Sequence, residues 1–244
     1  MSGRVTFATA MRVLLQLRRD PRTLALLFAV PPVLIALFRY VFDGQPQTFD
    51  RIGGPLVGIF PFIMMFVITS IAMLRERTTG TLERLMTLPL AKADLLAGYA
   101  LAFAAVAVVQ ASVTSAVAFG LLGLDVAGSV AAVIGLAVLN AILGMSLGLF
   151  VSAFARTEFQ AVQFLPAFVF PQLLLCGLLV PRGRMAGALD WASTVMPLTW
   201  AFDGLDHAVR GGAAGIVLRD TAIVVGVTVV ALALAASTLR RRTS

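Results

Sequence analysis

Long apolar runs alternate with short charged islands along this chain. Six runs, at about 23–42, 52–74, 95–124, 130–154, 159–180 and 218–239, each approach the ~20 residues a helix needs to cross a bilayer. Ahead of them, residues 1–22 interleave Arg4, Arg12, Arg18, Arg19 and Arg22 with Phe7, Met11, Leu14, Leu15 and Leu17. That spacing predicts an amphipathic helix lying on the inner membrane surface, and Asp20-Pro21 then turns the chain into the bilayer. The pattern predicts an all-α membrane protein. It has two parts: an interfacial helix over 1–22 and a six-span transmembrane domain over 23–244.

The charged island after the second run stands out. It begins Arg75-Glu76-Arg77, passes through Gly80 and Thr81, and ends near Pro89 within a connecting stretch over 75–94. Leu82, Leu85 and Met86 fall at i, i+3 and i+4, so a short helix here has one apolar face. Glu83, Arg84 and Thr87 fall on its other side. Gly80 permits a sharp turn before the helix, and Pro89 disfavours helix at Leu88 and stops it. Two uses fit such a helix: docking onto another protein, or lying at the interface with snorkelling arginines. Periodicity alone favours the second.

Polar residues inside the runs are few. In the third run, Gln110 and Thr114 share a helix face with Ser112 and Ser115 nearby. They fit either a polar path or hydrogen bonds between helices. In the fourth, Asn140, Gly144, Gly148 and Ser152 recur every fourth residue, a small, polar stripe that predicts a packing face within the subunit. The fifth run is interrupted by Gln160, Gln163, Pro166, Pro171 and Gln172. Broken backbone at membrane depth is tolerated where it is buried or lines a cavity, so this segment fits a substrate-lining helix and a structural kink equally well. The 181–217 stretch carries Pro181, Trp191, Pro197 and Trp200, which suit short half-inserted helices with tryptophans at the headgroup level. Pro31-Pro32 predicts a kink in the first run, which is too long for a cleavable signal.

Composition sharpens this picture. Of the 244 residues, 59% are hydrophobic and 13% charged, with mean hydropathy +0.96, far from a soluble domain. The net charge of +7 does not point to nucleic acid, because the basic residues sit at the ends of apolar runs rather than in one patch. They read instead as topology signals. With both termini inside, thirteen Arg and Lys lie on the inner side and six on the outer side, so the positive-inside rule places both termini and the 75–94 stretch in the cytoplasm.

RERTTGTLERLMTLPL, at 75–90, resembles the cytoplasmic loop after the second span of type-2 ABC exporter permeases, the membrane subunits of ATP-driven exporters. LRRDPRTLALL resembles the segment leading into that family's first span. CGLLVPRG followed by MPLTWAFDGLDHAVRGG resembles its outer re-entrant hairpin and the motif that follows, here Pro197, Leu198, Thr199 and Trp200 with Asp203, Gly204 and Leu205. Position 196 is Met where the family often has Asn, which puts a local capping hydrogen bond in question. The resemblance implies that Thr81 to Leu88 form a coupling helix. It assigns contact with the ATPase to Arg75, Glu76, Arg77, Gly80, Thr81, Leu82, Glu83, Arg84, Leu85 and Pro89. It also implies an outer helical hairpin over 181–217 and a path lined by spans 2 and 5. The partners it implies are two ATPase subunits carrying ATP and Mg, a second permease (identical or homologous), and the bilayer of a bacterial cytoplasmic membrane. The short chain and small outer segment most resemble the drug-resistance branch, and hydrophobic or amphipathic cargo follows from it.

The chain contains no G-x-x-x-x-G-K-[ST], so nucleotide is expected on another polypeptide. No H-E-x-x-H or Cys/His cluster is present, and no metal or catalytic residue is expected. Asp203 and His207, four apart, could pair on a helix as a surface hydrogen bond. Few charges lie at mid-span, which argues against a proton-coupled carrier or ion channel. The alternatives are a polysaccharide or glycolipid export permease, an ATP-independent channel or carrier, and, more remotely, an intramembrane enzyme.

Overall fold

The structure, a computed structural model, describes residues 3–87 and 92–238, and the side chains of all of these except Glu83, Met86, Thr87 and Lys92. Pro89, the expected helix stop, and the basic cluster Arg240-Arg241-Arg242 lie outside the described residues.

Helix α1 (Gly3–Arg18) packs Thr9, Ala10 and Val13 against the bundle and leaves Phe7, Met11 and Leu15 exposed. Those three are spaced by four, an outward apolar stripe suited to lipid. Asp20 caps α2 (Pro21–Val41), accepting the Thr23 backbone N–H at 3.2 Å and its hydroxyl at 2.6 Å. Helix α2 runs through Pro31 and Pro32. Helix α3 (Pro46–Thr78) begins well before the predicted Ile52, so most of the expected outer loop over 43–51 is helical. Pro46 explains the difference. At a first helical position its missing N–H costs nothing and its fixed φ favours the helix.

Next come α4 (Thr81–Thr87), α5 (Lys92–Ala116) with a π turn over Val117–Leu121, and α6 (Val130–Val151). The predicted fifth run is not one regular helix. It divides into α7 (Glu158–Phe164), a π turn over Leu165–Val169 and α8 (Phe170–Leu175). Pro166 and Pro171 cause the break, since neither can donate to the helical ladder. Thr157 caps α7 by accepting the Gln160 N–H at 3.2 Å, and the Gln160 amide oxygen accepts the Arg156 N–H at 2.8 Å. Gly177, at φ +104, allows the turn that follows α8. Beyond it lie a 3₁₀ turn at Arg182–Arg184, α9 (Gly187–Val195), α10 (Pro197–Val209) and α11 (Ala214–Ser237).

Among the described residues, five helices are long and apolar enough to cross a membrane: Pro21–Val41, Pro46–Thr78, Ala93–Leu121, Val130–Val151 and Ala214–Ser237. All regular structure there is helical, so the chain is a multi-pass α-helical membrane protein.

Helix α3 is the axis of the bundle and packs most extensively on α6. The contact face on α6 is the predicted stripe, with Asn140, Gly144, Gly148 and Ser152 all buried. Gly144 lies directly on the Phe62 carbonyl and Gly148 on the Phe66 carbonyl, leaving no room for a Cβ. The Thr69 hydroxyl, bonded to Met65 O at 2.6 Å, also reaches Met145 O at 3.2 Å. Small residues let two backbones approach closely, which in lipid replaces the hydrophobic drive available in water. Helix α10 packs across the N-terminal half of α3, with Val209 against Gly54 and Leu205 against Gly58.

Candidate functional site

Three consecutive charged residues, Arg75, Glu76 and Arg77, lie in the last turn of α3. Thr79 closes the helix, and Gly80, at φ +72, turns the backbone so that α4 starts at once. The Thr79 and Thr81 hydroxyls meet at 3.1 Å across this turn, and the Arg84 N–H donates to Gly80 O at 3.0 Å. Leu82 is buried and Leu85 partly buried in the inner core, while Arg84 is exposed. Leu82 and Leu85 therefore anchor α4 to the bundle, and Arg84 lies on a side turned away from it.

Arg75, Glu76 and Arg77 do not project together. Successive helical residues are ~100° apart, so the three side chains reach different neighbours. The Arg75 guanidinium donates from Nε to Glu158 Oε1 at 2.6 Å and from Nη2 to Glu158 Oε2 at 3.0 Å, joining α3 to the first turn of α7. These hydrogen bonds hold the Glu158 carboxyl below its ordinary range. Glu76 accepts from Arg12 of α1 at 3.2 Å. Arg12 also donates to the Tyr99 hydroxyl of α5 and lies over the Tyr99 ring, 5.5 Å from its centroid. Arg77 reaches the Thr238 hydroxyl just past α11 at 3.2 Å. One short turn of α3 is thus tied to α1, α5, α7 and the end of α11. Tyr99 was not legible as a site residue, since an isolated tyrosine in an apolar run carries no spacing signal.

Several polar residues inside the bundle have local partners in this conformation. Gln110 donates to Leu27 O of α2 at 3.0 Å, Thr114 donates to Gln110 O at 2.9 Å, and both are fully buried. Gln163, Pro166 and Pro171 are exposed along the broken segment. Gln172 is buried. Its amide N donates to Phe168 O at 2.9 Å, and its amide O accepts the Leu198 N–H at 3.2 Å.

That last bond answers the question raised by Met196. Met196 precedes α10 and offers no capping side chain, so Gln172 of α8 supplies the acceptor instead. Pro197 opens α10, Thr199 is buried, and the Trp200 indole N–H donates to Thr194 O at 2.9 Å under the Arg219 guanidinium, 5.6 Å from the ring. Asp203 and His207 do not pair with each other. Asp203 meets Arg182 at 2.7 Å, and His207 meets the buried Asp220 of α11 at 2.8 Å, because neighbouring segments present closer partners than the next turn does. Burial raises the Asp203 carboxyl to about 6, against the pull of Arg182. Arg51, Arg182, Asp206 and Arg210 line a small cavity of about 180 Å³ beside it.

The chain is thus a multi-pass helical bundle in which a short helix follows a one-glycine turn at the end of its second long helix. Residues 4–209 match the family model described as ABC-2 type transporter, and the chain belongs to that family. It is 29% identical over 171 residues to ABC transporter G family member 20 of Dictyostelium discoideum, covering 69% of this chain and 23% of that protein. It is 28% identical to the "Probable multidrug ABC transporter permease YbhR" of Escherichia coli K12 (59% of this chain, 39% of that one). To the "Linearmycin resistance permease protein LnrN" of Bacillus subtilis it is 27% identical (62% and 40%). The matches span only about a quarter to two fifths of these relatives' lengths.

Proposed function

We propose that this chain is the membrane-spanning permease subunit of an ATP-driven exporter, moved by separate ATPase subunits that engage α4 from the cytoplasm. The observation that carries this reading is the α3–α4 junction. Leu82 and Leu85 fix one face of α4 to the bundle, while the three charges just before Gly80 connect the same point to α1, α7 and α11. A displacement of α4 is passed to α3 through the short Gly80 turn. From there it reaches the broken α7–α8 segment through Arg75 and Glu158.

The segment 159–175 is the remaining crossing in this reading, fifth along the chain. Its seventeen residues, at ~1.5 Å each, reach ~26 Å, close to the hydrocarbon thickness. Helices α9 and α10 then form the outer hairpin. Both termini are cytoplasmic, by the distribution of basic residues, in a bacterial plasma membrane. The transport path lies along α3 and the exposed face of α7–α8, with Gln163, Pro166 and Pro171 toward a second permease subunit, identical or homologous. ATP and Mg belong to the partner. The cargo is hydrophobic or amphipathic, a drug-like or lipid-like molecule, as the names of the multidrug and linearmycin-resistance relatives suggest.

The test is co-purification from native membranes. A P-loop ATPase should accompany the wild-type chain and be lost with Leu85→Asp while the permease still inserts. Equal recovery of the ATPase with both chains would defeat the reading.

A further inference from the structure

A cavity of about 590 Å³ opens at the inner side among α1, α2, α3 and α5. Each wall is one helix face. Helix α3 contributes Met64, Val67, Ile68, Ile71, Ala72 and Arg75, at i, i+3, i+4, i+7, i+8 and i+11. Helix α1 contributes Val13, Gln16 and Leu17, with Asp20 just beyond its end. Helix α2 adds Thr23 and Leu26, and α5 adds Tyr99 and Phe103.

Polarity is segregated along its length. Asp20, Thr23, Arg75, Glu76 and Thr79 lie at the inner end, and the deeper lining on α2, α3 and α5 is apolar. From Thr79 to Met64 the wall runs ~22 Å at ~1.5 Å per residue. One leaflet, headgroup included, is ~20–22 Å thick. The volume falls within the usual range for small-molecule sites, ~300–1,000 Å³.

The charges at the inner end are unequal. Glu76 is paired with Arg12 and Arg75 with Glu158, but among the described residues Asp20 is in no ion pair. Its carboxylate accepts hydrogen bonds from the Thr23 hydroxyl and backbone N–H, and these, with smaller contributions from the Arg75 charge and the Arg22 backbone N–H, keep it below the ordinary carboxylate range. The nearest arginines in sequence, Arg19 and Arg22, are exposed and do not line the cavity.

We propose that this cavity is a binding site for one amphiphile of the inner leaflet, with an amine-bearing head at Asp20 and an apolar tail along the Met64–Ala72 face of α3. The site stands on the cavity's geometry and does not depend on the chain being an exporter. Its α1, α2 and α5 walls lie outside the proposed transport path, and its α3 wall adjoins that path. Because Thr79 and Thr81 border it, an occupant would touch the junction that carries α4.

The test uses the full chain in nanodiscs of phosphatidylglycerol, a lipid without an amine. Two photoactivatable probes share one alkyl chain, and one ends in a primary amine and the other in a carboxylate. The amine probe should label the Met64–Ala72 face more strongly than the lipid-facing residues Leu101, Val109 and Val113 of α5. Ile68→Trp, which fills the cavity, should lower that labelling about tenfold. Asp20→Asn should lower it about threefold for the amine probe and raise that of the carboxylate probe, narrowing the difference between the two. Undiminished labelling of α5 in the variants reports that they remain folded in the bilayer. Three results would overturn the proposal: equal labelling of α3 by the two probes, labelling no stronger than on α5, or an unlabelled face because a protein segment fills the cavity.

Discussion

Arg75 grips Glu158 through two parallel hydrogen bonds, at 2.6 and 3.0 Å, across 83 positions of sequence. Both side chains are about half exposed, so the pair adds below ~1 kcal/mol to stability. Its importance is positional, because it joins the end of α3 to the start of the broken α7–α8 segment. Glu158→Gln should therefore leave the melting temperature nearly unchanged and lower ATP-driven transport several-fold. The exchange of Arg75→Glu with Glu158→Arg should recover much of the loss. Equal transport by wild type and Glu158→Gln in proteoliposomes would remove the pair from the coupling route.

The same pair has a pH signature. Glu158 titrates below its unfolded value because Arg75 bonds the ionised form. Its contribution is fully present above the unfolded pKa and is lost as pH falls through the lower, folded one. Stability measured from pH 7 down to 3 should decline slightly less steeply in Glu158→Gln than in wild type. An identical decline would mean that the pair does not form in solution.

Gln172 stands in for the missing cap at Met196. Gln172→Ala leaves the Leu198 N–H without its acceptor at the start of α10, at a cost of ~1–2 kcal/mol. Met196→Asn restores a local acceptor. The double variant should thus be more stable than Gln172→Ala alone, by ~1 kcal/mol in thermal or denaturant unfolding. A strictly additive pair of effects would show that Gln172 is not capping α10.

The α3–α6 contact makes opposite predictions for glycines on one helix. Gly144 meets the Phe62 carbonyl, whereas a Cβ at Gly135 points into open space. Helix propensity favours Ala over Gly by ~1 kcal/mol at either position. Gly135→Ala should follow that preference and stabilise. Gly144→Ala should reverse it, because overpacking against a rigid backbone costs ~1–3 kcal/mol. The comparison is read from unfolding of the two variants in the same detergent.

Much of this was legible in the sequence. Five apolar runs became long helices because length and hydropathy decide that outcome with little help from tertiary context. The Asn140 to Ser152 stripe and the Leu82–Leu85 spacing were readable because packing faces repeat at helical period. The break in the fifth run was visible in its prolines, but its division into two helices around a π turn was not. That outcome depends on which carbonyls find partners once Pro166 and Pro171 remove donors. The early start of α3 was hidden by a polar composition that suits loops and helix starts alike. Among the site residues, the ties from Arg75, Glu76 and Arg77 to α7, α1 and α11 were beyond reach, since side-chain bonds across 64 to 161 positions leave no local pattern. The partners of Asp203 and His207 were misjudged for the same reason. The i,i+4 rule describes an isolated helix, and α10 is packed against others that offer Arg182 and Asp220.

The account rests on movement that begins at α4 and is driven by a subunit other than this chain. The direct measurement is uptake of a fluorescent amphipathic cation into inside-out proteoliposomes holding the permease, with and without its ATPase and MgATP. Uptake should require both ATPase and MgATP, and it should disappear with Leu85→Asp although that variant inserts normally. Uptake by the permease alone, or undiminished uptake with Leu85→Asp, would contradict the account.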